Sequence, residues 1–285
     1  MKRSKEPEYI IKDFVEERLH GDIGSLKQLN LFSLMRDDTY GCVGSDRFDP
    51  DDTVLMRAIY CVAFREAWPG LCMDCLDTYV YRGETLNTYN TMFGWKYFNP
   101  HYGLDFHNPT QQVVDNVMEF QTKWCPTIGN MMVLPNIPVP IYRLVWNKEN
   151  GKMHCAEEYE TINMYRGCHE EWHDFFDRFL AALYSHVVEQ NVIDTDLQRL
   201  LLANHEYIAH CYGKKGWQSF IVNNFLGGYV DESYVPRLTS AGYYFWQKDI
   251  PDEDYHAESL RYVNFATNVI NNRADKIIEK ISNRL

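Results

Sequence analysis

The sequence predicts a mainly α protein: a single helical domain over residues 1–285 with a small irregular β hairpin inserted at 125–165. Three observations predict it. Several segments place apolar residues at helical spacing behind recognisable cap residues. Hydrophobic residues make up 45% of the chain and aromatics 15%, which is material for a sizeable core and argues against disorder. Strand-prone texture is confined to one stretch carrying Pro135, Pro138 and Pro140.

Taken in order, Ser25 can cap LKQLNLFSLMRD. Asp49-Pro50-Asp51-Asp52 precedes TVLMRAIYCVAFREAW, with acidic residues and a proline where a first turn accepts them. Asn108-Pro109 plays the same part before TQQVVDNVMEFQTKW, in which Val113, Val117 and Phe120 share a face. Between Cys125 and Thr161, MMVLPNIPVPIYRLVW and MHCAEEYETINMY flank the turn-like NKENGK, which reads as one irregular hairpin. Its prolines disfavour a central strand. Helices resume in WHDFFDRFLAALYSHVV, with Trp172, Phe175, Phe176, Phe179, Leu183 and Val187 on one stripe. TDLQRLLLANHEYIAHCYG ends at Gly213, a glycine stop, and GWQSFIVNNFLGG is a short helix. The stretch EDYHAESLRYVNFATNVINNRADKIIEKISNRL reads as one long helix with basic residues in its last turns, favourable to the dipole.

Composition removes some function classes. A net charge of −12 argues against the broad basic surface that duplex nucleic acid requires. No run approaches the ~18 apolar residues of a membrane span, and the start, MKRSKEPEYIIKDFVEERL, lacks the apolar core of a signal peptide. The eight cysteines are scattered, unlike a secreted disulfide scaffold, so a reduced cytoplasmic setting is expected. Cys72-Met73-Asp74-Cys75 is the one close pair, and no second pair completes a zinc site. The cysteines are read as small apolar core residues.

Residues 169–173 read HEEWH, the spacing with which zinc peptidases present two histidines from one helix face and a water-polarising glutamate between them. The string follows Arg166-Gly167 at a helix start, its neighbours Glu171 and Asp174 are charged, and Glu170 points away from the apolar stripe. It is read as a partly buried helix start, with no metal and no cofactor expected. A zinc peptidase remains an alternative, with His205, Glu206 or His210 as a third ligand. The Arg166-to-His173 spacing also fits small helical ribonucleases but is too permissive to use.

Three polar stretches need more explanation: Tyr81–Thr88, Thr127–Asn130 and Thr161–Gly167. Each joins a glycine, which lets the backbone approach a ligand, to hydroxyl or amide side chains. Two add an arginine, whose fork suits phosphate or carboxylate. The last opens a helix, where unpaired N–H groups attract anions. The same residue types also serve turns and caps.

On GETLNTYNTMFG, CPTIGNMMVLP, INMYRGCHEEWHDFF and GWQSFIVNNFLGGYVD, the chain resembles a family of uncharacterised bacterial hypothetical proteins. That family's pattern runs through Gly-Asp-Thr-Met-Asn, Thr-Ile-Gly-Asn-Phe, Asn-x-x-Arg-Gly and Trp-x-x-Phe-Val-x-x-Asn-Phe strings. The likeness extends from about residue 82 to the C-terminus, leaving the first 70 residues, a helical N-terminal part, unshared. Glu84 departs from the family's aspartate. The resemblance implies no reaction, but it implies that the two histidines of HEEWH are local to this chain.

The leading expectation is a cytoplasmic protein that binds a small anionic ligand such as a nucleotide, with bacterium–phage conflict as its suggested setting. Arg82, Glu84, Thr85, Asn87, Thr127, Asn130, Asn163 and Arg166 would line the site, the arginines neutralising charge and Glu84 and the amides reading ribose or base. The alternative of another class is a protein-interaction module, or a homo-oligomer, using an aromatic surface such as GYYFW at 242–246.

Overall fold

Pro7 opens the first helix because proline's missing N–H is one that an N-terminal turn leaves unused. This helix, α1 (Pro7–Leu19), buries Ile11, Phe14 and Val15. In this computed structural model the residues described are 6–42, 49–77, 80–87, 110–147, 152–162, 176–191, 195–238 and 251–285. Asn108-Pro109, Asn163, Arg166, the HEEWH string, Trp172, Phe175 and the 242–246 aromatics lie outside them.

The described residues are mainly helical with two small antiparallel sheets. Asp22, not Ser25, caps the segment after α1, accepting from the Gly24 N–H at 2.9 Å. That segment forms two short 3-10 turns, Ile23–Gln28 and Leu31–Ser33, rather than one helix. Asn30 interrupts it by accepting from the Phe32 N–H, an alternative to helix that asparagine offers the backbone. Pro50–Asp52 forms a 3-10 turn, and Thr53 caps α2 (Val54–Ala63) through the Met56 N–H. Every residue of α2 after Val54 is buried. After α3 (Met73–Asp77) comes β1 (Tyr81–Thr85), a strand where the sequence reads as a polar loop.

Helix α4 (Gln111–Glu119) buries Val113 and runs into a π turn ending at Trp124, in which Phe120 is buried. Strand β2 (Met131–Pro135) is buried throughout, so its backbone groups need protein partners, and β1 supplies them with Thr85 opposite Met131 and Tyr81 opposite Pro135. The expected hairpin exists further on, as β3 (Val139–Asn147) against β4 (Lys152–Glu160). The 125–165 stretch is therefore divided between two sheets. Both have two strands among the described residues, and edge strands tolerate Pro135 and Pro140.

Helix α5 (Phe176–Tyr184) and the π turn after it bury Phe176, Phe179, Leu183 and Val187, the stripe expected of them. The helix read through residue 212 breaks instead into α6 (Thr195–Ala203) and the short α7 (His205–Ile208). Asn204 sits at the break, where its amide bonds the Leu200 carbonyl and accepts the Ile137 N–H. Gly213 has φ +75 and starts α8 (Gly213–Asn223). The long α9 (Asp252–Ser282) packs against the 128–130 turn, α2 and α4. No described helix is long and apolar enough to cross a membrane.

The N-terminal residues share the core of the rest. Ile11, Phe14 and Leu26 belong to the same buried cluster as Ile277 and Ile281 of α9. A smaller cluster joins Val113, Phe120 and Cys125 to Tyr262, Val263, Ala266 and Ile270.

Candidate functional site

The turn that starts α2 carries two acids inward. Asp51 and Asp52 are 4% and 7% exposed, and the buried Arg57 guanidinium reaches Asp52 at 3.4 Å. Tyr60, further along α2, lies fully buried beside β1. Gly83 is what admits it. A Cβ there would stand 2.8 Å from the Tyr60 hydroxyl and 2.9 Å from Asp51 Cβ. The glycine of the first polar stretch thus accommodates the protein's own side chains.

Burial, first, and then the neighbouring Asp49, Glu84 and Asp52 carboxyls hold the Asp51 carboxyl well above the ordinary carboxylate range. Burial followed by the charges of Asp51, Asp49, Asp52 and Glu84 likewise keeps the Tyr60 phenol protonated. Asp51 Oδ1 and the Tyr60 hydroxyl are buried without a hydrogen-bond partner. In a low-dielectric setting such groups are costly, and they mark positions that a ligand or an ordered water can satisfy.

Arg82 and Glu84 alternate with Gly83 and so share the other face of β1, opposite Leu134 and Met132 of β2. Arg82 is half-buried and its Nε is enclosed without a partner. Glu84 accepts from the Thr85 N–H at 3.0 Å, and the Thr85 hydroxyl meets Met131 Sδ at 3.7 Å.

The amides expected beside them are occupied by the protein. Asn87 and Asn130 are fully buried. Asn130 Oδ1 accepts from the Asn87 N–H at 3.0 Å, and Asn130 Nδ2 donates to the Asn87 and Cys125 carbonyls at 2.7 and 3.0 Å. Asn87 Nδ2 donates to Tyr229, and Asn87 Oδ1 accepts from Tyr262, each at 2.8 Å. The Thr127 hydroxyl donates to the Trp124 carbonyl at 2.8 Å. Any ligand at these three residues would have to displace protein partners. Gly129 is similarly committed, since a Cβ on it would lie 2.1 Å from the Ile270 carbonyl oxygen of α9. Of the eight residues expected to line one site, Arg82 and Glu84 come together on one face, while Asn87, Thr127 and Asn130 form the adjoining core. Thr85 lies between, and Asn163 and Arg166 are outside the described residues.

The chain matches no family model, no curated protein and no solved structure at a significant level.

Three participants escape a motif-based reading. Asp51 and Tyr60 look like cap and core residues, and only the contact through Gly83 connects them to β1. Arg273 is 2% exposed and donates to the carbonyls of Gly129, Met131 and Asn224, the latter two at 3.1 Å. Burial, the first cause, lowers its pKa to about 10. A signal for it was available: Arg273 lies three residues after Ile270 and four before Ile277, on the apolar stripe of α9. Among the described residues no three His, Cys, Asp or Glu side chains are placed to hold a metal ion. His210, offered as a third zinc ligand, instead pairs its Nε2 with the Ala67 carbonyl at 2.6 Å.

Proposed function

We propose that the chain binds a small anionic ligand, with a nucleotide as the leading instance, on the face of β1 that carries Arg82 and Glu84. The observation that supports this most is Arg82 itself. Among the described residues its guanidinium makes no hydrogen bond or ion pair, although its Nε is enclosed. Burying an unpaired cation is unfavourable, and an anion accepting from Nε and Nη would relieve it.

The surroundings narrow the ligand class. Glu84 on the same face and the acids behind Gly83 disfavour a bare, highly charged anion such as inorganic phosphate. They favour a ligand that also offers hydroxyl or amine donors, as a ribose or base does. A reduced, cytoplasmic setting accords with the cysteines of the described residues, all of which are free.

The test is a thermal-shift screen of nucleotides and phosphorylated metabolites against wild type, Arg82→Ala and Arg82→Lys. A ligand of this site raises the wild-type melting temperature by mass action. Losing one charge-assisted hydrogen bond weakens its binding about tenfold or more. A screen in which nothing stabilises the wild type, or in which Arg82→Ala binds as well, overturns the reading.

A further inference from the structure

Two aromatic residues adopt backbone conformations that ordinarily belong to glycine, and both line one groove. Phe225 has φ +58 and Tyr234 φ +64. Phe225 follows the C-cap of α8, where the Leu226 N–H donates to the Ile221 carbonyl at 2.9 Å and the Phe225 N–H to the Val222 carbonyl at 3.1 Å. That pair of bonds is the Schellman closure, whose left-handed residue is usually glycine. Tyr234 closes the 231–235 turn, in which the Asp231 carboxylate accepts from the Ser233 and Val235 N–H groups at 2.8 and 2.9 Å. The Tyr234 N–H donates to the Asp231 carbonyl. Glycine or asparagine would relieve the strain at either position. A bulky residue held there twice on one surface points to a use for the rings.

The groove has a volume of about 500 Å³ and includes Ile221, Val222, Phe225, Tyr234, Lys276 and Lys280 in its lining. That is the size of a small-molecule site. Val222 is 54% exposed within it, and Phe225 and Tyr234 are only partly covered by the core. Packing accounts for part of Phe225, whose ring meets Phe64 edge-on at 5.4 Å. The charge of the groove comes from two lysines and Glu279. Lys280 is engaged with Glu66 at 2.7 Å, whereas Lys276, next to Gly227, makes no ion pair among the described residues.

We propose that this groove binds a small aromatic anion, its ring against Phe225, Tyr234 and Val222 and its acidic group at the Lys276 ammonium. The site is separate from the Arg82 face, since neither Arg82 nor Glu84 lines it. It stands or falls independently of the function proposed above.

The experiment is a fluorescence titration of the full chain with 1-anilinonaphthalene-8-sulfonate, and with uncharged N-phenyl-1-naphthylamine as comparison. Wild type is expected to bind one sulfonate saturably and the uncharged amine more weakly. Lys276→Glu, a change at an exposed residue, is expected to weaken sulfonate binding about tenfold or more. Tyr234→Gly is expected to lose binding while melting no lower than wild type, because it removes strain together with the ring. Arg82→Ala is expected to bind as wild type does. Absence of saturable binding, equal binding of the uncharged amine, or wild-type binding by Lys276→Glu overturns the proposal. So does a Tyr234→Gly protein that binds normally or melts well below wild type, since the ring would then serve packing.

Discussion

The Asn130 side chain holds Asn87, 43 residues away in the chain, at three points, accepting from its N–H and its Nδ2 and donating to its carbonyl. The pair joins the end of β1 to the turn before β2, and the Tyr229 and Tyr262 hydroxyls complete it. Its polar atoms are buried, so its value lies in leaving no donor or acceptor unmet.

Replacing Asn130 with aspartate keeps the shape and turns the Nδ2 donor into an acceptor facing the Asn87 and Cys125 carbonyls. Asn130→Asp is therefore expected to lose about 2–4 kcal/mol of stability, close to the loss in Asn130→Ala. Urea denaturation of the two variants checks this. Near-wild-type stability combined with lost ligand binding would instead return Asn130 to the binding surface.

The pH dependence of stability should carry the mark of Asp51. Its unfolded carboxyl titrates near the ordinary value of 3.8, while burial and Asp49 raise the folded value well above it. Between those two values the folded state holds a proton that the unfolded state has lost, so stability falls as pH rises. One such group contributes a slope of at most about 1.4 kcal/mol per pH unit. The contribution is fully present below 3.8 and is lost as pH climbs through the folded value. Chemical denaturation from pH 4 to pH 8 is expected to show a flatter profile for Asp51→Asn than for wild type. Parallel profiles would remove Asp51 as the cause.

Two glycines should respond differently to alanine. At Gly129 a Cβ meets the Ile270 carbonyl oxygen, part of a helix backbone that cannot yield cheaply. Gly129→Ala is expected to lose roughly 3 kcal/mol or more, at the upper end of overpacking costs. At Gly70 nothing lies within 4 Å and only its φ of +88 opposes a side chain, so Gly70→Ala is expected to cost about 1 kcal/mol. Melting temperatures of the two variants in one buffer make the comparison, and the reverse order would contradict the packing at Gly129.

Thiol reactivity should separate by burial. Cys61 and Cys211 are buried, and desolvation, the first cause, pushes each thiol up to about 12. Cys72 and Cys155 are exposed. A native-state reaction with a chromogenic disulfide reagent, then peptide mapping, is expected to label Cys72 and Cys155 rapidly and Cys61 and Cys211 only on unfolding. Because the described cysteines are free, melting curves with and without reductant are expected to coincide.

The helical class was legible from local pattern, and so were the α5 stripe and the long α9. Each is set within a few turns of chain, where side-chain periodicity and cap chemistry act directly. The acidic, proline-bearing stretch read as the start of α2 instead forms a 3-10 turn of its own, and Thr53 caps the helix. Arg82 and Glu84 were legible as a polar pair. The partners of Asn87 and Asn130 were not, because an asparagine in a polar, glycine-bearing stretch reads the same whether its amide meets a ligand or a buried carbonyl. Ser25, a good cap residue, yielded to Asp22, whose carboxylate accepts from both the Gly24 N–H and the Ser25 hydroxyl.

By itself, then, the sequence determined which segments coil, where the apolar stripes lie and that a small proline-bearing β region interrupts them. Tertiary structure decided that β2 leaves that region to pair with Tyr81–Thr85, since a fully buried strand must find its hydrogen bonds wherever a free edge is near. It also decided that Gly83 makes room for Tyr60 and Gly129 for α9, and that Arg273 binds three carbonyls drawn from two distant segments. These outcomes depend on close approaches between residues far apart in the chain, and no local periodicity carries that information.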